Sequence, residues 1–389
     1  MTRTRKPAEP TLAEYLVREA LPPCKYFLST GSTLLDLAIS DRLPGGVGSG
    51  RTVQLIGDNS SGKTVIMKEI LGSAQRQGGY AAEEEAEYTP DHQRAALFGL
   101  DVGKWKEEVL PTDIDLQKAI KLAPNYVYRN PTCIEDLFDN EIGQLVNLSN
   151  GKWATFKTKK NPKTGVTKTT TSFEDADTLQ GPIAIGVDTF TALPSRAELE
   201  RPLDQNSYNM ERAKAMSAGF RKYVGPMGKQ DITVVAVDHI RSSVTSGFGP
   251  DWTVSGGKAM QQYASTRIFF KTVGMLKNSH KLDIGAKIHF KVVKNKLAPP
   301  GREGDFYILF DYGVDDIRSN MEWLDAQDIE TCLTKEKNTW FWKGEKLDGS
   351  FERSIRAIED KDIDNDLQDE VARVWRILYE PTDRKRKHR

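Results

Sequence analysis

At 389 residues, with no net charge, 38% hydrophobic and 28% charged, the chain has length for two or three domains and the balance of a soluble globular protein. No apolar run approaches the roughly 18 residues needed to span a bilayer, and the basic start Met1-Thr2-Arg3-Thr4-Arg5-Lys6-Pro7 lacks the apolar stretch of a secretory signal. Cys24, Cys133 and Cys332 are too few and too scattered for a disulfide framework or a zinc site, so a reduced, cytoplasmic setting is expected.

In chain order, Leu12, Tyr15, Leu16 and Leu21 give residues 1–24 the pattern of a short amphipathic helix, ended by Pro22-Pro23. A helix this short needs a surface, either its own core or a neighbouring subunit. Ser29 to Asp36 opens the main domain, and a glycine-rich loop, Pro44 to Arg51, precedes the apolar run Val53-Gln54-Leu55-Ile56. That run leads into Gly57-Asp58-Asn59-Ser60-Ser61-Gly62-Lys63-Thr64, and apolar residues at helical spacing follow from Val65. Strand, glycine-bounded turn and helix in this order make a phosphate cradle. Glycines let backbone N–H groups converge, and the helix N-terminus adds attraction for a polyphosphate. Lys63 would reach the β- and γ-phosphates of a nucleotide, and the Thr64 hydroxyl would ligate Mg²⁺.

Strand and helix then alternate: strands over 53–57, 79–87, 125–128, 183–188 and 232–238, helices over 62–76, 90–99, 133–147 and 208–224. This implies a mainly parallel sheet covered on both faces. Strands at 266–273, 287–294 and 305–310 extend it with antiparallel pairs. Between them, threonine-rich alternation around Asn161-Pro162-Lys163-Thr164-Gly165 marks a hairpin over about 150–175. Its lysines fit either a solvated ribbon or an accessory nucleic-acid contact. After about residue 312 a small α+β domain is expected, with Trp340-Phe341-Trp342 on a strand and an acidic helix over 361–380. Residues 383–389 are a basic tail, suited to non-specific phosphate contact.

Three further strand ends belong with the cradle, because parallel strands deliver their C-termini to one side of a sheet. Asp188 ends the apolar strand from Ile183 and suits a Mg²⁺-holding carboxylate. Glu87 suits a base for the attacking water, although spacing alone does not separate it from Glu83, Glu84 or Glu85. Three successive acids in a strand expected to be buried are anomalous. His239 follows Val234 to Asp238 and suits a γ-phosphate sensor, or a packed histidine. The Gly/Ser/Thr-rich segment from Arg241 to Ser255 reads as a flexible loop, whose Phe248 and Trp252 would stack on bases.

Together these residues resemble the RecA recombinase family, most closely its phage branch typified by UvsX, over about residues 25–345. Ser29-Thr30-Gly31-Ser32 is similar to the family's entry motif, and Gly57 to Thr64 to its Walker A. Glu85-Ala86-Glu87 with Asp91 resembles the segment holding its catalytic glutamate, which falls on Glu87, and Val187-Asp188 resembles its Walker B. Asp238-His239-Ile240-Arg241 resembles the segment that ends in the sensor, a histidine in UvsX-like proteins, and opens the second DNA-binding loop. Gly256 and Gly257 resemble that loop's closing motif. Lys291 to Lys296 resembles the stretch whose lysines, here Lys294 and Lys296, reach the ATP of an adjacent subunit.

The resemblance implies an α/β RecA-like P-loop ATPase core over 29–312, with a docking helix before it (1–28) and a small domain after it (313–382). It implies ATP and Mg²⁺ as cofactors, with Gly57 to Val65 and Asp91 at the nucleotide. Glu87, Lys63, His239, Lys294 and Lys296 would be catalytic, Thr64 and Asp188 metal-holding, and Arg241, Phe248, Trp252, Gly256 and Gly257 DNA-binding. Implied partners are single- and double-stranded DNA, further copies in a helical filament, a single-strand-binding protein and a loader. Arg94 stands where the family has an adenine-stacking tyrosine. The rival readings are an ATP-binding filament or regulatory protein without strand exchange, and a hexameric helicase-type motor.

Overall fold

The computed structural model describes residues 24–87, 92–103, 125–160, 167–200, 208–242, 252–254 and 258–379. The amphipathic segment before Cys24, Asp91, Phe248, Gly256, Gly257 and the basic tail lie outside them.

A short antiparallel pair, β1 (Phe27–Leu28) with β2 (Val47–Gly48), brackets α1 (Thr33–Ser40), whose N-terminus Ser32 caps. β3 (Thr52–Gly57), α2 (Lys63–Arg76), β4 (Tyr80–Glu85), α3 (His92–Leu97) and β5 (Tyr126–Arg129) follow. Next comes a continuous helical run: α4 (Ile134–Asp136), a π-helical stretch over Leu137–Ile142, and α5 (Gly143–Leu148). The expected hairpin is present as β6 (Lys152–Lys160) and β7 (Thr167–Asp175). β8 (Ile183–Asp188), α6 (Arg196–Leu199), α7 (Tyr208–Lys229), β9 (Ile232–Ser242), β10 (Trp252–Val254) and α8 (Lys258–Tyr263) continue the alternation. β11 (Thr266–Lys277), β12 (Asp283–Lys294), β13 (Glu303–Leu309) and β14 (Gly313–Asp315) complete the main sheet. The chain ends its described part with α9 (Asp316–Asp325), a small sheet of β15 (Leu333–Glu336), β16 (Thr339–Trp342) and β17 (Glu345–Asp348), then α10 (Phe351–Asp360) and α11 (Asp364–Leu378).

The main sheet runs β14-β13-β12-β11-β3-β9-β8-β4-β5. From β11 to β5 every pairing is parallel, and from β11 to β14 every pairing is antiparallel. The parallel strands are largely buried and, β4 apart, mainly apolar, as befits a sheet covered by helices on both faces. This is the doubly covered α/β sheet read from the sequence, with its antiparallel extension.

Several boundaries differ from those expected. β4 stops at Glu85, which leaves Glu87 past the strand end, and α7 continues through Pro226 to Lys229. The segment after Arg241 is not an open loop at its ends. β9 runs on to Ser242, and β10 pairs back on it, with Trp252 opposite Ser242 and Thr253 opposite Arg241. The acidic C-terminal helix begins at Asp364 and follows a separate helix, α10.

The acidic β4 is explained by alternation of faces. Glu83 pairs with Lys68 of α2 and accepts from Tyr126 Oη at 2.9 Å, so its charge is matched inside the core. Glu84 turns to the other face, fully buried, where burial and the neighbouring Glu141 hold its carboxyl well above the usual range. Glu85 accepts from the Glu87 N–H at 2.8 Å, and burial pushes its pKa up to about 7.

Candidate active site

The loop between β3 and α2 is shaped by two glycines. A Cβ on Gly57 would lie 2.4 Å from the Phe270 carbonyl oxygen, and one on Gly62, at φ +83°, would lie 2.4 Å from Ile308 Cδ1. At Gly57 a side chain would have to displace backbone, and at Gly62 the left-handed φ itself disfavours any side chain. The Ser61 hydroxyl donates to Asp58 O at 2.8 Å and closes the turn. Lys63 reaches back over the loop, its Nζ donating to Asp58 O at 2.6 Å and Gly57 O at 3.1 Å. Burial holds its pKa below the ordinary lysine value, against the pull of Asp188 and Asp58. α2 has no side-chain cap, so its first N–H groups remain available to an anion. A buried ammonium beside an uncapped helix start fits a polyphosphate.

Register brings the other groups to this loop. Gly57 is paired with His239, and Glu85 with Asp188, so the ends of β3, β8 and β4 lie beside the His239 stretch of β9, which continues past them. Thr64 Oγ1 donates to Asp188 Oδ2 at 2.8 Å. Donor atoms of Glu87, Asp188 and His239 all lie within 4.8 Å of one another, with His239 Nε2 3.9 Å from Glu87 Oε1. Burial raises the Asp188 pKa, opposed by its bond from Thr64. A buried carboxylate tied to a hydroxyl, with a carboxylate and an imidazole beside it, fits a hydrated Mg²⁺. Thr64 and Asp188 would hold the ion, which neutralises phosphate charge when bound.

Of the four acids around β4, only Glu87 is half-exposed and directed at this cluster. Glu83 and Glu85 are engaged elsewhere and Glu84 faces away. Lys294 does not join the cluster within its own protomer. Its Nζ donates to the carbonyls of Gln261 at 2.7 Å and Gln262 at 3.1 Å, at the end of α8, and Lys296 is exposed.

One buried network escaped the sequence reading. Gln54 Nε2 donates to Asp238 Oδ2 at 2.6 Å, and Arg267 Nε donates to Gln54 Oε1 at 2.6 Å. It crosses β9, β3 and β11 directly behind His239. Burial pushes the Asp238 pKa up to about 7, with the Gln54 bond opposing. Polar residues interrupting apolar strands at 54 and 267 were the available signal.

A parallel sheet with a phosphate loop at its C-terminal edge, a Thr–Asp pair and a glutamate in reach define a P-loop ATPase. The model of the RecA N-terminal domain matches residues 25–110 and 173–315. The chain belongs to the RecA family. Similar curated proteins include Protein RecA of Chlamydia trachomatis serovar L2, 28% identical over 329 residues, which is 85% of this chain and 76% of that protein. Protein RecA of Chlamydia felis is 27% identical over 85% of this chain and 77% of its own length. Protein RecA of Chlamydia pneumoniae is 28% identical over 85% and 76%. Among the described residues no helix is long and apolar enough to cross a membrane.

Proposed function

We propose that ATP bound at Gly57–Thr64 sets this protein's grip on single-stranded DNA through His239. As a RecA-family member the chain is a RecA-type recombinase and a DNA-dependent ATPase, acting in recombination and repair. The observation carrying the residue assignments is the meeting of Glu87, Asp188 and His239 beside Thr64. In this reading Lys63 binds the outer phosphates. Glu87 orients the attacking water and takes its proton. His239 donates to the γ-phosphate and loses that partner on hydrolysis, and β9 carries the change into residues 243–251 and Arg241, Phe248, Trp252, Gly256 and Gly257. Asp91 is assigned to nucleotide binding on the family resemblance alone.

Lys294 and Lys296 act on the ATP of a neighbouring subunit, so hydrolysis needs a filament. Residues 1–28 dock subunits, 29–312 form the ATPase core and 313–382 a small C-terminal domain. His239 at the sensor position favours the UvsX-like branch, and a single-strand-binding protein and a loader are expected partners.

The test is strand exchange with ATPase measured in parallel, with and without single-stranded DNA. Exchange together with stimulated hydrolysis supports the reading. Hydrolysis indifferent to DNA points to the regulatory rival, and processive unwinding to the helicase.

A further inference from the structure

Most of the ribbon β6–β7 lies within residues 111–172, between the two segments matched by the family model. Among the described residues it pairs with no other strand. Its register sets Lys159 opposite Lys168, and Lys157 shares that face two residues away, with Thr155, Thr170 and Ser172. Like charges at directly opposed positions weaken a ribbon, and an isolated two-stranded ribbon is marginal to begin with. Residues 151–173 contain Lys152, Lys157, Lys159, Lys160, Lys163 and Lys168 and no acid. A polyanion resolves that repulsion.

The base of the ribbon is fastened. Gln144 Nε2 donates to Ala154 O at 2.6 Å, and Gln144 Oε1 accepts from Ala154 N at 3.2 Å. Ala176 N donates to Gly151 O at 3.0 Å, and Lys152 is neutralised by Asp175. Lys157, Lys159 and Lys168 therefore stand further along the strands than the anchored end. The base also sits where β8 and β9 begin: Gln230 Nε2 donates to Asn150 Oδ1 at 2.8 Å, just before β9. Asp188 and His239 are at the other ends of those strands. The ribbon and the phosphate loop thus occupy opposite edges of the sheet.

We propose that β6–β7 is a second DNA-binding arm, which captures double-stranded DNA by its phosphate backbone. The inference rests on the recombinase reading, because pairing brings a duplex to a strand already held beside the nucleotide. A two-stranded ribbon has the width of a major groove, and lysines at register positions opposite threonine (Lys157 with Thr170, Lys160 with Thr167) or lysine (Lys159 with Lys168) suit phosphate rather than base contact.

The test uses full-length protein carrying K157Q, K159Q and K168Q together. Filaments are assembled on an unlabelled single strand with a slowly hydrolysed ATP analogue, and a labelled duplex of unrelated sequence is titrated by anisotropy over a range of salt. Duplex affinity is expected to fall about tenfold or more, and the slope of log affinity against log salt to shrink by about 2 to 3. Hydrolysis stimulated by single-stranded DNA stays at the wild-type level, and the corresponding triple arginine variant keeps duplex binding. Unchanged duplex affinity and slope overturn the proposal. So does loss of the stimulated hydrolysis together with duplex binding, since the ribbon would then serve assembly. Failure of the recombinase reading shows separately, as wild-type hydrolysis that ignores single-stranded DNA.

Discussion

The Thr64 hydroxyl stands 2.8 Å from Asp188 Oδ2, joining the first turn of α2 to the end of β8. Both oxygens thereby face one point, the position that Mg²⁺ would share. Asp188→Asn keeps a hydrogen-bond acceptor but removes the charge. The Mg²⁺ concentration needed for half-maximal ATPase should rise about tenfold or more, read from a metal titration at saturating ATP.

Lys63→Ala removes the ammonium now held by the Asp58 and Gly57 carbonyls. ATPase should fall by at least about 100-fold, and strand exchange should vanish with it. A fluorescent nucleotide titration should show weakened ATP binding.

Glu87→Gln leaves the loop and Asp188 intact. Hydrolysis should drop about 10²- to 10⁴-fold while ATP binding is retained. Complexes with single-stranded DNA should then outlive those of the wild type, measured by dissociation into competitor DNA.

Changing Phe248 and Trp252 to Ala should spare nucleotide binding and abolish homologous pairing. Pairing at the wild-type rate would remove this segment from the mechanism.

Asp36 is buried and accepts from Thr30 N at 2.8 Å and Thr30 Oγ1 at 2.7 Å. Burial still pushes its pKa up from 3.8 to about 7. The folded state therefore binds this proton more tightly than the unfolded chain does. Its contribution is complete below about pH 4 and is lost as pH climbs through about 7. Asp36→Asn should accordingly lose less stability than wild type over that interval, by urea midpoints at a series of pH values. Glu69, Glu85 and Asp238, each also raised to about 7, leave the variant a residual slope of the same sign.

The phosphate loop was legible because its signal is local: glycines, a lysine and a threonine at fixed spacing between an apolar strand and a helix. Asp188 and His239 were legible for a related reason, each ending an apolar run. Glu83 was not, because what makes it tolerable is remote in the chain. Lys68 supports Glu83 from one helix and Tyr126 from another strand, and no periodicity within β4 encodes either. The Gln54–Asp238–Arg267 line was hidden in the same way, one residue from each of three strands. The pairing of Trp252 with Ser242 was missed because glycine, serine and threonine between them read as loop throughout.

The wall behind Gly62 is made by Ile308, with Ile288 beside it. Both come from the antiparallel half of the sheet, more than two hundred positions later in the chain. A ribosome that has just released Gly57 to Thr64 has written the whole recognisable phosphate motif without the surface that backs it. A fragment halted before Ile308 would carry the signature yet lack the side chains that stand behind Gly62.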